Sequence, residues 1–265
     1  MMILSDTHTH MDFSEFDSDR DAVIDRAVQA GLVLMIDIGI DLPTSRRAVQ
    51  IAKQRAEIFA TVGFHPHEAQ SATPDAIGQL ESLISESRVV PGQQSRIVAV
   101  GEVGLDYYRN LSPRLMQQQT FREMIDLAKR HDLPLVIHTR NAHRDILLIL
   151  DDEGIPNRGG VFHCFSGDSD FALEVLRRGF HISFTGNITY KNSPLPGIAA
   201  QIPLEKTMLE TDCPFLAPIP HRGKRSEPVM VLSVAKKLAE IHRVPTEQVG
   251  EVCTQTAFDL FGIAA

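Results

Sequence analysis

The chain has no tryptophan, three tyrosines and three cysteines among its 265 residues. Each scarcity excludes something. With so few large aromatics there is little from which to build a long platform on which successive bases of a single strand stack. Cys164, Cys213 and Cys253 form no C-x-x-C pair, and an odd number of scattered thiols does not make a disulfide framework. Long apolar runs are missing as well. No window approaches the roughly 18 uninterrupted apolar residues of a membrane span, and no basic segment followed by a long apolar one stands at the N-terminus. Nor is positive charge in excess. The formal net charge of −8 argues against a broad basic footprint for a wrapped duplex. It leaves a phosphate substrate admissible, because bound divalent cations reverse the sign locally. Together these absences predict a cytoplasmic protein without a cleaved signal, with no membrane association and no obligate protein partner.

What is present is the composition of a globular protein, 43% hydrophobic and 23% charged. There is no linker-like stretch and no shift in composition, so residues 1–265 are expected to form one domain. Short apolar runs rich in Val, Ile and Phe recur: MILSDTH, LVLMIDIG, IFATVGFH, IVAVGEVG, LPLVIHTR, GVFHCFSG, HISFTG and KTMLETD. Several are apolar on both faces, as parallel strands covered by helices must be. Helical patterns lie between most of them. Ser112-Pro113 reads as an N-cap and first-turn proline ahead of a stripe of Leu115, Phe121, Met124, Ile125 and Ala128. Thr73-Pro74 repeats the device before Ile77, Leu80 and Leu83, while Gly31 and Gly179 stand where helices hand over to strands. Helices around 228–242 and 246–260 close the chain. Eight strand–helix alternations predict an α/β fold, a (β/α)8 TIM barrel, with a doubly wound sheet as the alternative. The weakest element is the seventh helix, where KNSPLPGIAAQIP carries too many breakers for a long one.

The polar residues of these runs gather at their C-terminal ends. Asp6, His8 and His10 alternate with Thr7 and Thr9, so the three are expected on one face. His65 ends the third run, Glu102 the fourth, His138 the fifth and His163 the sixth, and Asp212 follows the eighth. Taken singly, each has an ordinary explanation: a hydrogen-bonded core histidine, a carboxylate capping a loop, or an aspartate starting a turn before Pro214. Six apolar strands ending this way point instead to convergence, because such groups are costly to bury without partners. Imidazole and carboxylate ligands suit Zn²⁺, Mn²⁺, Fe²⁺ or Co²⁺. Six candidate ligands, His8, His10, Glu102, His138, His163 and Asp212, exceed what one tetrahedral ion with an open position needs, and they divide between two ions. Glu102, alone on its strand, is placed to bridge them. His131, His143, His181 and His242 fall in or beside helices or at a strand start and are assigned to structure.

In succession, SDTHTHMD, GFHPHEA, VGEVGLDYY, PLVIHTRNA, GVFHCFSG, ISFTGNITYKN, MLETDCPFLAP and HRGKRSEP make the chain similar to the TatD family of metal-dependent deoxyribonucleases over nearly its whole length. The resemblance implies a barrel with a binuclear centre that hydrolyses phosphodiesters, typically of DNA. It implies His8 and His10 on one ion, His138 and His163 on the other, Glu102 as the bridge, and Asp212 holding the first ion near the attacking water. Glu210, two residues before Asp212, is expected behind these ligands or simply satisfied by a loop. With Glu102 on the fourth strand and no lysine ending any strand before Lys191, a carbamylated-lysine bridge is not expected. Two positions depart from the family pattern, Ser226 and Thr256, each where the family commonly has asparagine.

The implied enzyme carries two divalent ions (Mg, Mn, Zn, Co or Fe) and acts on a DNA strand end or short oligonucleotide. Asp212 is the expected proton acceptor and Glu102 the second catalytic carboxylate. His65 and Arg222 are the candidate substrate-binding residues, Arg222 for its two-pronged phosphate recognition. Arg140, Tyr107 and Tyr108 are secondary candidates for phosphate or base contacts. The competing function is a binuclear metal hydrolase of a small-molecule amide, ester or lactone, for which loss of Arg222 should matter less. A binding module without turnover does not need an open water site, and loss of activity in Asp212→Asn with metal retained would exclude it.

Overall fold

Strands that are apolar on both faces need cover on both. The computed structural model, which describes residues 2–88 and 94–264, provides it. Eight strands, β1 (Leu4–Thr9), β2 (Leu32–Ile38), β3 (Ile58–Val62), β4 (Ile97–Asp106), β5 (Leu135–Arg140), β6 (Gly160–Phe162), β7 (His181–Phe184) and β8 (Thr207–Leu209), run parallel in sequential order. Around them pack α1 (Arg20–Gln29), α2 (Leu42–Gln54), α3 (Pro74–Ser87), α4 (Arg114–Arg130), α5 (His143–Glu153), α6 (Ser169–Arg177), α7 (Leu195–Ala199), α8 (Val231–His242) and α9 (Thr246–Phe261). The architecture is the expected (β/α)8 barrel, and α7 is as short as its breakers predict. The sheet closes between β8 and β1 through a bridge from Thr9 to Cys213 and a bond from Thr7 Oγ1 to the Leu209 carbonyl, 3.1 Å. Among the described residues, no helix is long and apolar enough to cross a membrane.

Alternation sorts the strand residues into two apolar clusters. In β2, Met35 joins the layer between strands and helices, whereas Leu34, Ile36 and Ile38 join Phe59, Val98, Val136, Val161 and Met208. Ala257, Leu260 and Phe261 of α9 belong to that second cluster. Gln94 and Arg158, just ahead of β4 and β6, donate to the carbonyls of Gly262 and Leu260. The last helix therefore plugs the N-terminal end of the barrel, and the opposite end is left for chemistry.

Local expectations fare unevenly. Thr73 caps α3 by accepting from the amide of Ala76, and Gly31 and Gly179 follow α1 and α6 with positive φ. Ser112 does not cap α4. Its hydroxyl donates to the carbonyl of His67, 2.7 Å, and the helix starts at Arg114 without a side-chain cap. Leu115 has the spacing of the core stripe but is 80% exposed in the first turn of α4; Phe121, Met124, Ile125 and Ala128 are buried as expected. β4 does not stop near Glu102 but runs on to Asp106.

Gly104 sets how closely β4 and β5 approach. Its φ is +134°, and a Cβ at this position would fall on the carbonyl oxygen of His138. Gly104→Ala is expected to cost about 3 kcal/mol, since it combines a disfavoured backbone with overpacking. Denaturant unfolding would read this directly, and an unchanged midpoint would show that the two strands have room to spare.

His181, at the start of β7, is pushed down to about 4 by burial and by Lys206. The unfolded chain titrates this ring near 6.5, so between those values the unfolded state binds the proton better and acidification favours unfolding. The penalty is absent above pH 6.5 and grows as pH falls toward about 4. His181→Gln should recover about 2 kcal/mol of unfolding free energy at pH 4.5 relative to pH 7.5. Equal losses in variant and parent would remove His181 as a source of acid sensitivity.

Candidate metal centre

Two strands reach the barrel mouth with a break in register. In β1, Asp6 pairs with Met35 and Thr9 with Asp37, so Thr7 and His8 face a single residue of β2. In β4, Val100 pairs with Leu135 and Val103 with Ile137, so Gly101 and Glu102 face only Val136. An extra residue on one strand bends it locally and re-aims its side chains. His8 and Glu102 both sit on such bulges, and strict alternation does not carry through from Asp6 to His10. Asp6 serves as an anchor: its carboxylate accepts from the Thr211 amide (2.9 Å), the Thr211 hydroxyl (2.6 Å) and the His8 amide (3.3 Å). Across the same seam, the Asp212 amide donates to the His8 carbonyl and the His10 amide to the Cys213 carbonyl, each 2.9 Å.

At the mouth, Glu102 occupies the middle. Its Oε2 lies 3.4 Å from His8 Nε2, while its Oε1 lies 2.9 Å from His138 Nδ1 and 2.7 Å from His163 Nε2. Asp212 Oδ1 is 3.5 Å from His10 Nε2 and 3.8 Å from His8 Nε2. All six predicted ligands are thus brought together. Burial opposes a charge on Glu102, yet His163, His65 and His138 hold its carboxyl well below the usual range. Burial likewise opposes a charge on His163, and Glu102 and Glu210 overcome it and push the ring well above the ordinary imidazole value. His8 is completely buried, stacks on His163 at 3.9 Å between centroids, and has no hydrogen bond at either ring nitrogen.

Groups outside this cluster turn the rings. His10 Nδ1 lies 3.3 Å from the Ile38 carbonyl, which takes its proton and leaves Nε2 facing Asp212. His138 Nε2 lies 3.2 Å from Asp106 Oδ2, which leaves Nδ1 facing Glu102. His163 Nδ1 lies 3.7 Å from Glu210 Oε1, an oxygen that also accepts from the Cys164 amide at 2.6 Å. Among the described residues, three sets of donor atoms lie within 4.8 Å of one another: His8–His10–Asp212, His8–His163–Glu210 and His65–Glu102–His138. The last two bring Glu210 and His65 within reach as well. His65, however, accepts the His67 amide at Nδ1, 3.1 Å, which puts its proton on Nε2, 3.4 Å from Glu102 Oε1. It is therefore placed as a donor into the centre, not as a metal ligand.

Asp106 and His67 are the site residues that sequence reasoning missed. Asp106 is buried; besides His138, its Oδ2 meets His67 Nε2 at 3.0 Å, and its Oδ1 accepts the amides of Tyr108 and Arg109. Despite burial, His138 and the Arg109 amide hold its carboxyl below the usual range. The second histidine in GFHPH and the aspartate in GLDYY were the available signals.

The centre opens into a cavity of about 670 Å³ whose wall includes Arg109, Arg140, Phe13 and Phe215. Arg222 is not on this wall. It lines an adjoining cavity with Tyr190 and Lys191. Arg140 lies 3.9 Å over the ring of Tyr108, whereas the hydroxyl of Tyr107 is tied to Asp145 and Gln118, which leaves Tyr107 a structural role. Ser226 is buried and its amide donates to the Pro214 carbonyl, so it anchors the loop that follows β8. Thr256 bonds back to Val252 within α9, far from the mouth. His131, His143, His181 and His242 take no part in the centre; His131 meets Glu81 and His143 stacks on Phe171.

The chain is similar to known proteins over nearly its whole length. Residues 5–262 match the family model described as TatD related DNase. The chain is 37% identical over 262 residues to the uncharacterized metal-dependent hydrolase YabD of Bacillus subtilis, covering 98% of this chain and 100% of that protein. It is 34% identical over 234 residues to the 3'-5' ssDNA/RNA exonuclease TatD of Cronobacter sakazakii, covering 86% of each. The solved structure of the TatD homologue YjjV of Escherichia coli superposes with a TM-score of 0.91 at 29% identity, covering 98% of both chains.

Removing the outer carboxylate tests this geometry. Asp106→Ala is expected to weaken metal binding by about 10–100-fold, the usual cost of losing a group that orients a histidine ligand. Titration of metal-stripped protein, followed by calorimetry, measures it. Affinity equal to the parent would show that His138 needs no such partner.

Proposed function

Because the chain belongs to the TatD family of metal-dependent hydrolases, we propose that it is a phosphodiesterase that hydrolyses DNA, at strand ends or in short single strands, with two divalent ions. The division of Glu102 between two sets of imidazoles is the observation that carries this reading. The donors fit such ions: imidazoles and carboxylates without thiolate, and a buried His8 ring that the protein itself does not hydrogen-bond. His8, His10 and Asp212 would hold one ion, His138 and His163 the other, with Glu102 between. When bound, Mg²⁺, Mn²⁺, Zn²⁺, Co²⁺ or Fe²⁺ supplies charge that offsets the phosphate oxygens and lowers the pKa of a water toward ~7.

The remaining steps fall to the chain. Burial works to raise the Asp212 carboxyl, but His10 and His8 hold it below the usual range. Ionised at neutral pH, Asp212 accepts the proton of the attacking water and returns it to the leaving oxygen. His65 donates Nε2–H to a non-bridging phosphate oxygen. Arg109 and Arg140, which have no carboxylate within 4.0 Å among the described residues, hold the substrate's charge at the cavity wall. Residues 1–265 serve as one catalytic domain, and three free thiols fit the reducing cytoplasm.

The test is hydrolysis of a short end-labelled single-stranded DNA by metal-stripped protein reloaded in turn with Mg²⁺, Mn²⁺, Co²⁺ and Zn²⁺. Metal-dependent ladders are expected, with losses of about 10²-fold or more in Asp212→Asn and His138→Ala. Elemental analysis should find about two ions per parent chain. Full metal loading with no cleavage by any ion would move the assignment to amide, ester or lactone hydrolysis of a small molecule.

A further inference from the structure

The cavity of the metal centre does not end at its own wall. Ser166 and Asn187 line both it and the adjoining cavity, so the two spaces run into one another. The second has a volume of about 430 Å³, within the ~300–1,000 Å³ in which small ligands bind. Its outer wall carries Tyr190, Lys191, Asn192 and Arg222. Tyr190 is fixed by its hydroxyl, which donates to the Ala217 carbonyl at 3.1 Å, and the Arg222 guanidinium lies 4.5 Å over its ring. Neither Arg222 nor Lys191 has a carboxylate within 4.0 Å among the described residues. Arg225, three residues after Arg222, shows the usual alternative: it is held by both Asp19 and Glu227. In a chain of net charge −8, two adjacent cations without acidic partners are an uncompensated positive spot beside the centre. On the shared wall, Asn187 Oδ1 is buried and has no hydrogen-bond partner, an acceptor available to a sugar hydroxyl or a base amino group.

From this juxtaposition we infer that the adjoining cavity binds the nucleotide next to the scissile phosphodiester. That nucleotide's phosphate lies between Arg222 and Lys191, and its sugar or base meets Asn187. The inference rests on the phosphodiesterase reading and goes beyond it. The unit recognised is a dinucleotide step, not an isolated diester. Arg222 accordingly acts on the neighbouring phosphate and not on the one being cleaved. An arginine fixed on an aromatic face and a flexible lysine form a clamp for a phosphate that repeats along a strand.

The test compares two substrates of the metal-loaded enzyme: bis(p-nitrophenyl) phosphate, which has one diester and no neighbour, and a fluorescent single-stranded DNA decamer. The parent, Lys191→Ala and the double variant Lys191→Ala/Asn192→Ala are assayed, all changed positions being on the surface. In the variants the ratio of kcat/KM for decamer to that for the small diester should fall about tenfold, because a contact made only by the longer substrate is gone. Binding of a non-cleavable phosphorothioate decamer, followed by anisotropy across salt concentrations, should lose about 0.7 from its log–log slope, one phosphate contact to a single strand. A ratio and slope equal to the parent's in both variants would overturn this inference while leaving the phosphodiesterase reading intact. If the parent hydrolyses neither substrate, the phosphodiesterase reading falls and the inference with it.

Discussion

The centre depends on one buried carboxylate with two differently employed oxygens. Glu102 is nearly inaccessible to water, and an isolated carboxylate there would be expensive to ionise. It stays charged because imidazoles from β1, from the end of β3, from β5 and from the end of β6 surround it. The dependence runs both ways, since those rings are packed tightly enough to repel one another once protonated. Neither the acid nor the histidines would be tolerable in this interior alone. Two bulges make the arrangement possible by re-aiming His8 and Glu102 without disturbing the strands below them.

Around that carboxylate lies a layer that fixes which nitrogen each ring presents. The Ile38 carbonyl does this for His10, Asp106 for His138 and the His67 amide for His65, while Glu210 supplies only its charge, 3.7 Å from His163 Nδ1. Asp106 has a second task. Through the amides of Tyr108 and Arg109 it holds the loop after β4, which carries part of the cavity wall, so the geometry of the centre and the shape of its entrance share a single side chain.

Much of this was legible in the sequence, for a definable reason. His8, His10, Glu102, His138, His163 and Asp212 each interrupt or end an apolar run, and a polar group in such a place is conspicuous. Asp106 was not conspicuous because the run read as IVAVGEVG closes at Gly104, while the ladder with β5 continues to Arg140. His67 follows Pro66 in a short helical turn, outside any strand pattern. The bulges are invisible to alternation, because a register slip is a relation between two strands. Leu115 and Ser112 mislead in the opposite sense. Their residue types suit a helix start, but a hydroxyl is captured by whichever carbonyl lies nearest, and a first helical turn need not lie over anything. Arg222 was read as a phosphate contact in the loop after the eighth strand; it lines the adjoining cavity, and no sequence pattern tells two adjoining cavities apart.

The seam between β8 and β1 has a consequence for how the molecule comes to be active. Asp6 and Thr211, whose bonds stitch it, stand 205 positions apart in the chain. Contacts of such separation bring the largest loop-closure entropy and tend to govern the rate of folding. His10 and Asp212 face one another only across that stitch. A polypeptide truncated before its eighth strand therefore keeps His8, His10, Glu102, His138 and His163 yet, without Asp212, lacks an intact catalytic centre. Turnover is a property of the closed ring, and its appearance during refolding would time the closure of that seam.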